Sequence, residues 1–277
     1  MRYIILALFA LAASTVTAAE HPCNQDAPCQ VDGGEYFLAY PDGWDGVSAM
    51  PAIIFYHGHN SSGLSPLRSR GLRESFLDRG YLLISPNGVA RSNGVRAWPA
   101  RPGHGGGRDD VTFSLAVLTD AKKQAPIKSE NVIVSGFSAG GSMAWMMGCY
   151  AGDRFAAVIS VAGALRRAHP DGLCPNPTPR ALQVHGFGDK QVPFEGRGIR
   201  DWHQGDVHET LSLFRRTNQC RSNPDKIDVG DDWRTRHWQS CRGGDLAYVE
   251  HDGGHGLPRG WTNLAVRWFE EGVLAAD

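Results

Sequence analysis

Short apolar runs rich in β-branched and aromatic residues alternate with helical stretches along most of this 277-residue chain. That alternation restricts the fold more than any other feature. Ala52–Tyr56 (AIIFY), Tyr81–Ser85 (YLLIS), Asn131–Ser135 (NVIVS), Ala157–Val161, Ala181–Val184 and Leu246–Glu250 read as strands. Between them lie helices with recognisable ends. Ser65-Pro66 predicts a helix start, with serine as cap and proline in the first helical position, and Gly80 predicts its end. Asp109 or Asp110 caps a helix with Val111, Leu115 and Leu118 on one face. Ala139–Cys149 and Trp261–Glu271 are further helices, and Asp206-x-x-Glu209 is a capping-box pattern for one ending near Arg216. Strands that alternate with helices form a mostly parallel sheet with helices on both faces. Ligands then bind beyond the carboxyl ends of the strands.

The first residues look like a processing signal. Arg2 precedes an apolar run, Ile4–Ala13, and small residues continue through Ala18 and Ala19. This order predicts a leader over residues 1–19, cleaved near 18/19, and one catalytic domain over residues 20–277. An uncleaved anchor or a buried first strand is the competing reading. The run is short for a bilayer span and no later segment is apolar enough for one, so no membrane partner is expected after cleavage. The net charge of −1 leaves no field to favour nucleic acid. The expected destination is extracellular or periplasmic.

Export gives the six cysteines a meaning, because an oxidising compartment permits disulfides. Their short separations favour Cys23–Cys29, Cys149–Cys174 and Cys220–Cys241. A metal site competes weakly, since the chain has no C-x-x-C.

Four motifs carrying chemistry sit at predicted strand ends. Gly136-Phe137-Ser138-Ala139-Gly140 is G-x-S-x-G between a strand and a helix, the context in which a serine nucleophile is held on a sharp turn. The small residues Gly141 and Ser142 would let that helix pack close to the sheet. His57-Gly58-His59-Asn60 follows AIIFY, where backbone N–H groups can face a developing oxyanion. The expected donors are the N–H groups of His59 and Ala139. His57 and His59 could instead bind a metal with His185 and Asp189, a reading that leaves G-x-S-x-G without a role. Asp189 follows the ALQV strand within His185-Gly186-Phe187-Gly188-Asp189, where it could orient a histidine or merely bond its own turn. His255 lies in Gly253-Gly254-His255-Gly256 after the last strand, with His251 as its competitor. The order Ser138, Asp189, His255 is that of the α/β-hydrolases. No cofactor and no metal are expected.

Softer signals remain. Trp98, Trp202, Trp233 and Trp238 could line an aromatic binding surface, though partly buried packing is the commoner fate of tryptophan. The Arg101–Arg108 stretch (RPGHGGGR) reads as a loop near the cleft. Asn60-Ser61-Ser62 matches a glycosylation acceptor.

Taken in order, YHGHNSSG, DDVTF, GFSAGG, HGFGDKQVPFEG, NQC and GGHGLP resemble the secreted esterase family of single-domain polyhydroxybutyrate depolymerases and feruloyl esterases. The resemblance runs from about Cys23 to the last helix. It implies the α/β-hydrolase fold, a Ser138–His255–Asp189 triad, an oxyanion turn at His59 and an ester substrate, small, oligomeric or polymeric. Two positions depart from the family pattern. His59 stands where many depolymerases have cysteine, and Leu257-Pro258 where the family often has Trp-Pro. No linker to a polymer-binding domain is evident, which tilts the reading toward soluble esters, oligomers or feruloyl esters. A serine peptidase, or a non-catalytic binding protein on the same fold, would carry the same framework.

Overall fold

The computed structural model describes residues 23–99, 107–199, 202–242 and 244–274. The leader predicted at 1–19 and most of the Arg101–Arg108 stretch lie outside these residues. In chain order the first elements are β1 (Cys29–Val31), β2 (Gly34–Ala39), β3 (Met50–Tyr56), α1 (Leu64–Leu67) and α2 (Arg70–Ser75). Then come β4 (Leu82–Pro86), β5 (Val89–Ala90), β6 (Arg96–Ala97), α3 (Asp110–Gln124), β7 (Ile127–Phe137) and α4 (Ala139–Tyr150). The second half holds β8 (Ala157–Val161), β9 (Arg180–Gly186), β10 (Arg197–Ile199), β11 (Trp202–Gln204) and α5 (Val207–Thr217). It closes with β12 (Lys226–Val229), β13 (Trp233–Cys241), β14 (Gly244–His251) and α6 (Trp261–Glu271).

Ten strands form one sheet in the order β1-β2-β4-β3-β7-β8-β9-β14-β13-β12. Its centre, from β4 to β14, is parallel. At the two edges, β1 and β2 on one side and β13 and β12 on the other run antiparallel. The strands alternate their side chains between two cores. Ile54, Tyr56, Val132 and Val134 pack under α3, α4 and α5 on one face. Ile53, Phe55, Ile133 and Leu182 pack under α2 and α6 on the other. The chain leaves β3 toward β4 and then returns to lay β7 on the far side of β3, so the strand order reverses between β3 and β7. The crevice at the carboxyl ends of these two strands is where an open α/β sheet receives its ligand.

The predicted strands and the last helix all form. Three local readings need correction. The helix expected from Ser65 to Gly80 is broken into α1, α2 and a short 3-10 turn, Leu77–Arg79. Ser65 lies inside α1, and Ser69 caps α2 by accepting from the Leu72 N–H. Gly80 does close the segment, in the left-handed conformation. In α3 the cap is Asp109, which accepts from the N–H groups of Val111 and Thr112, while Asp110 is buried against Arg108. The buried face carries Phe113, Val117, Leu118 and Ala121, whereas Val111 and Leu115 lie at its margin. Asp206 caps α5 as expected, but the Glu209 carboxylate goes to Arg167.

The antiparallel strands β12 and β13 were not foreseen, because charged and aromatic residues interrupt their periodicity. They account for two of the four tryptophans singled out. Trp238 is buried within β13, and Trp233 lies edge-on to His251. Trp98 is buried too, and its Nε1–H donates to the His57 carbonyl. Trp202 in β11 lies under the Arg166 guanidinium. These indoles serve packing more than an open aromatic surface.

All three predicted cysteine pairs form disulfides. Cys220–Cys241 ties the end of α5 to the end of β13 across a separation of 21 residues that includes β12. In the chain-entropy account such a closure stabilises by roughly 3 kcal/mol. Replacing both cysteines with serine should lower the unfolding free energy by about that amount, seen as a lower urea midpoint, and leave the parallel centre folded. An unchanged midpoint would show that the pair adds nothing to stability.

Candidate active site

Ser138 stands between β7 and α4 with φ 59° and ψ −117°, a backbone conformation that costs about 1–3 kcal/mol for a residue with a side chain. Surrounding contacts enforce it. A Cβ on Gly136 would collide with the Gly140 carbonyl, and one on Gly140 would collide with the Tyr56 carbonyl. The two glycines of G-x-S-x-G are therefore required by contact, and they bring the first turn of α4 against the end of β3. The next residue, Gly141, meets Gly163 beyond the end of β8 just as closely. The N–H groups of the first helical turn have no intrahelical acceptor, and Ala139, directly after Ser138, carries one of them.

His255 comes to this turn from the loop after β14. Its Nε2 lies 2.8 Å from Ser138 Oγ and its Nδ1 lies 2.8 Å from Asp189 Oδ2. Because an ionised carboxylate can only accept, Nδ1 carries the proton and donates to Asp189, leaving Nε2 to accept from the Ser138 hydroxyl. The Phe137 ring lies 5.1 Å from the imidazole and confines it. Asp189 is buried, and burial alone would raise its pKa. The hydrogen bond from His255 and the N–H groups of Val192 and Gln191, both donating to Oδ1 at 2.8 Å, outweigh burial and hold the pKa below the ordinary carboxylate value.

The loops carrying Asp189 and His255 are joined backbone to backbone. The Phe187 N–H donates to the His251 carbonyl at 2.7 Å, and the Gly188 N–H to the Gly253 carbonyl at 2.9 Å. Gly186 packs so close to Gly253 and Gly254 that a Cβ would strike their carbonyls. His251, the competitor, is buried at the end of β14, where its Nδ1 accepts from the Gly253 N–H. The structure thus brings His255, and not His251, to Ser138.

His57 and His185 are buried, and both rings are occupied inside the protein. His57 Nε2 accepts from the Gly88 N–H at 3.0 Å, while Nδ1 lies 2.7 Å from the Gly58 carbonyl. Together with the Trp98 bond to its carbonyl, this fixes the Gly58-His59 turn against Phe137. His59 itself is exposed. His185 Nε2–H donates to the Val192 carbonyl at 2.8 Å, and Nδ1 accepts from Gln183, whose Oε1 accepts from Trp145 Nε1–H. This chain ties the Asp189 loop to α4. Gln183 and Trp145 were missed in the sequence, where one is a lone polar residue in a strand and the other an ordinary apolar helix position. With both ring nitrogens engaged, neither His57 nor His185 is presented as a metal ligand. Among the described residues no three His, Cys, Asp or Glu side chains converge on a common point.

With this geometry established, comparison with known proteins places the chain. The alpha/beta hydrolase family model matches residues 53–259. The chain belongs to the α/β-hydrolase family. It is 26% identical over 275 residues to a probable feruloyl esterase C of Aspergillus niger, covering 93% of this chain and 91% of that protein. It is 22% identical over 259 residues to feruloyl esterase C of Emericella nidulans, covering 90% and 86%. Among solved structures, acetyl xylan esterase from Aspergillus awamori superposes with a TM-score of 0.64 at 16% identity, covering 86% of this chain and 94% of that one. The Bacillus cereus carboxylesterase gives 0.57 at 15% identity, covering 86% and 95%. At these identities the solved structures speak for the fold alone.

Burial pushes the pKa of His57 from 6.5 down to about 4, helped by Arg96 and Arg108 and opposed by the Gly58 hydrogen bond. A depressed folded-state pKa means that the unfolded chain binds the proton more readily. The stability from keeping this ring neutral is therefore present above pH 6.5 and is lost as pH falls toward 4, a change of about 3 kcal/mol at most. Urea midpoints measured across this window should fall with acidification. In His57→Gln, whose amide can replace both ring hydrogen bonds, the fall should be shallower. An identical slope in the variant would assign the acid sensitivity elsewhere.

Proposed function

We propose that this protein is an exported carboxylic-ester hydrolase working through an acyl-enzyme on Ser138. The observation that carries the reading is the line of hydrogen bonds Ser138–His255–Asp189, both links 2.8 Å, on a serine held in a strained turn. His255 takes the hydroxyl proton at Nε2 as Oγ attacks the ester carbonyl. The resulting imidazolium is stabilised by Asp189, which stays ionised. The oxyanion is received by the N–H groups of His59 and Ala139, one from each side of the β3–β7 crevice. Collapse of the tetrahedral intermediate expels the alcohol with the proton from His255. Water, deprotonated by the same ring, then releases the acid. Every step uses protein groups, so activity is expected to survive dialysis against EDTA.

The substrate reading rests on the relatives and on the rim of the site. Feruloyl esterases are prominent among the similar proteins. Phe187 and Leu257 are exposed, each separated by one glycine from Asp189 and His255 respectively. Two apolar side chains flanking the triad suit an aryl or alkyl ester better than a charged one. Feruloyl-type esters are therefore the favoured substrates, ahead of hydroxybutyrate oligomers. Export is supported by the leader pattern and the three disulfides, and no helix among the described residues is long and apolar enough to cross a membrane.

The deciding experiment compares methyl ferulate, p-nitrophenyl acyl esters and hydroxybutyrate oligomers on purified enzyme and its variants. Ser138→Ala and His255→Ala should each lower kcat by several orders of magnitude with circular dichroism unchanged, and the double variant should lose little more. Asp189→Asn should cost somewhat less, because the ring remains while its tautomer and charge stabilisation are lost. His251→Ala should retain most activity. A folded His255→Ala enzyme with near-native kcat would refute the assignment.

A further inference from the structure

A second cavity, of about 400 Å³, opens between α5 and the β13–β14 pair, and Ser138, Asp189 and His255 do not line it. Antiparallel pairing places Arg236 opposite Tyr248 and Trp238 opposite Leu246, so these four side chains share the face beneath α5. They form its floor, and α5 contributes Leu211 and Arg215 to the opposite wall. The volume lies within the range typical of small-molecule sites.

The charges in this cavity are unevenly satisfied. Glu250, its one carboxylate, accepts from the Tyr248 hydroxyl at 3.1 Å and lies 3.7 Å from Arg234. Arg236 rests over the Tyr248 ring at 5.6 Å, and Arg215 reaches only the Arg221 carbonyl, at 3.4 Å. Among the described residues no carboxylate pairs with either guanidinium. The indole Nε1–H of Trp238 is also buried without an acceptor, although this residue is only 8% exposed. A buried donor left unmatched is destabilising, and a ligand acceptor would relieve it. Two unpaired cations and an unmatched donor over an aromatic and aliphatic floor describe a receptor for one kind of molecule.

We propose that this cavity is a binding site for aryl carboxylates, separate from the catalytic crevice. The ring would enter between the Arg236 and Arg215 side chains and meet the floor at Trp238 and Leu211, since Arg236 already covers the Tyr248 ring. The carboxylate would take the guanidinium hydrogen bonds of Arg236 and Arg215, the strong charge-assisted kind. An inorganic anion would use the cations but leave the floor empty. A neutral aromatic would use the floor but leave both cations unmatched.

The test is isothermal titration of the full enzyme with 4-hydroxycinnamate, its neutral amide and inorganic phosphate. In parallel, hydrolysis of p-nitrophenyl acetate reports on the catalytic crevice. The wild type should bind one equivalent of 4-hydroxycinnamate at this site. The amide, and separately the Arg236→Gln and Arg215→Gln variants with the acid, should each show affinity lower by about tenfold or more. Hydrolysis should be unchanged in both variants. Because 4-hydroxycinnamate is also the kind of acid the proposed hydrolysis would release, affinity that persists in both variants belongs to the catalytic crevice, and only the binding lost with Arg236 and Arg215 belongs to this cavity. Equal affinity for the amide, tighter binding of phosphate, or full affinity in both folded variants would overturn the proposal, as would the absence of saturable binding.

Discussion

The architecture of the site depends on one close approach, the contact of Gly140 in the first turn of α4 with the carbonyl of Tyr56 at the end of β3. A side chain at Gly140 or Gly136 would force the helix away from the sheet. With that contact made, Ser138 is held in a conformation that an isolated peptide would leave, and Ala139 lies beside the Gly58-His59 turn. The strain is sustained because α4 is buried along nearly its whole length, in a core that extends under α3 and α5. Relaxing the turn would mean moving a packed helix.

The electrostatic arrangement around this turn separates one ionised carboxylate from several neutral rings. Asp189 accepts from His255 and two backbone N–H groups, and these bonds overcome its burial. His57, His185 and His251 are all pushed toward the neutral form, chiefly by burial. Their nitrogens serve the framework: His57 fixes the turn bearing His59, and His185 fastens the loop bearing Asp189 to Gln183 and thence to Trp145. His57 and His185 thus act as rigid two-ended connectors. Only His255 joins the serine to the acid.

The antiparallel extension, β13 and β12, adds surface that the parallel centre alone would not have. It covers one side of β14, receives the Cys220–Cys241 disulfide, and forms the floor of the cavity under α5. Phe194 connects this region to the site. It lies 5.1 Å from His185, 5.4 Å from His208 and 6.5 Å from Tyr248, ring to ring. The acid loop is therefore packed against the same aromatic group that borders the cavity.

The amino-acid sequence by itself determined the alternation of strands and helices, the cysteine pairs, and the strand-end motifs that carry Ser138, Asp189 and two candidate histidines, His255 and His251. Each of these is written locally. Strands appear as apolar β-branched runs, the serine turn as glycines at fixed spacing, and caps as single side chains such as Asp109 and Asp206. Tertiary structure decided what depends on distant partners. The helix after β3 is broken because its segments pack against different neighbours. Asp110 turns inward to Arg108 although its sequence position suits a cap equally well. β13 is a strand because β14 offers it an edge, and no period in its own residues required it. His255 rather than His251 reaches Ser138 because the loop after β14 is joined to the Asp189 loop through glycine backbone, a contact between segments more than sixty residues apart.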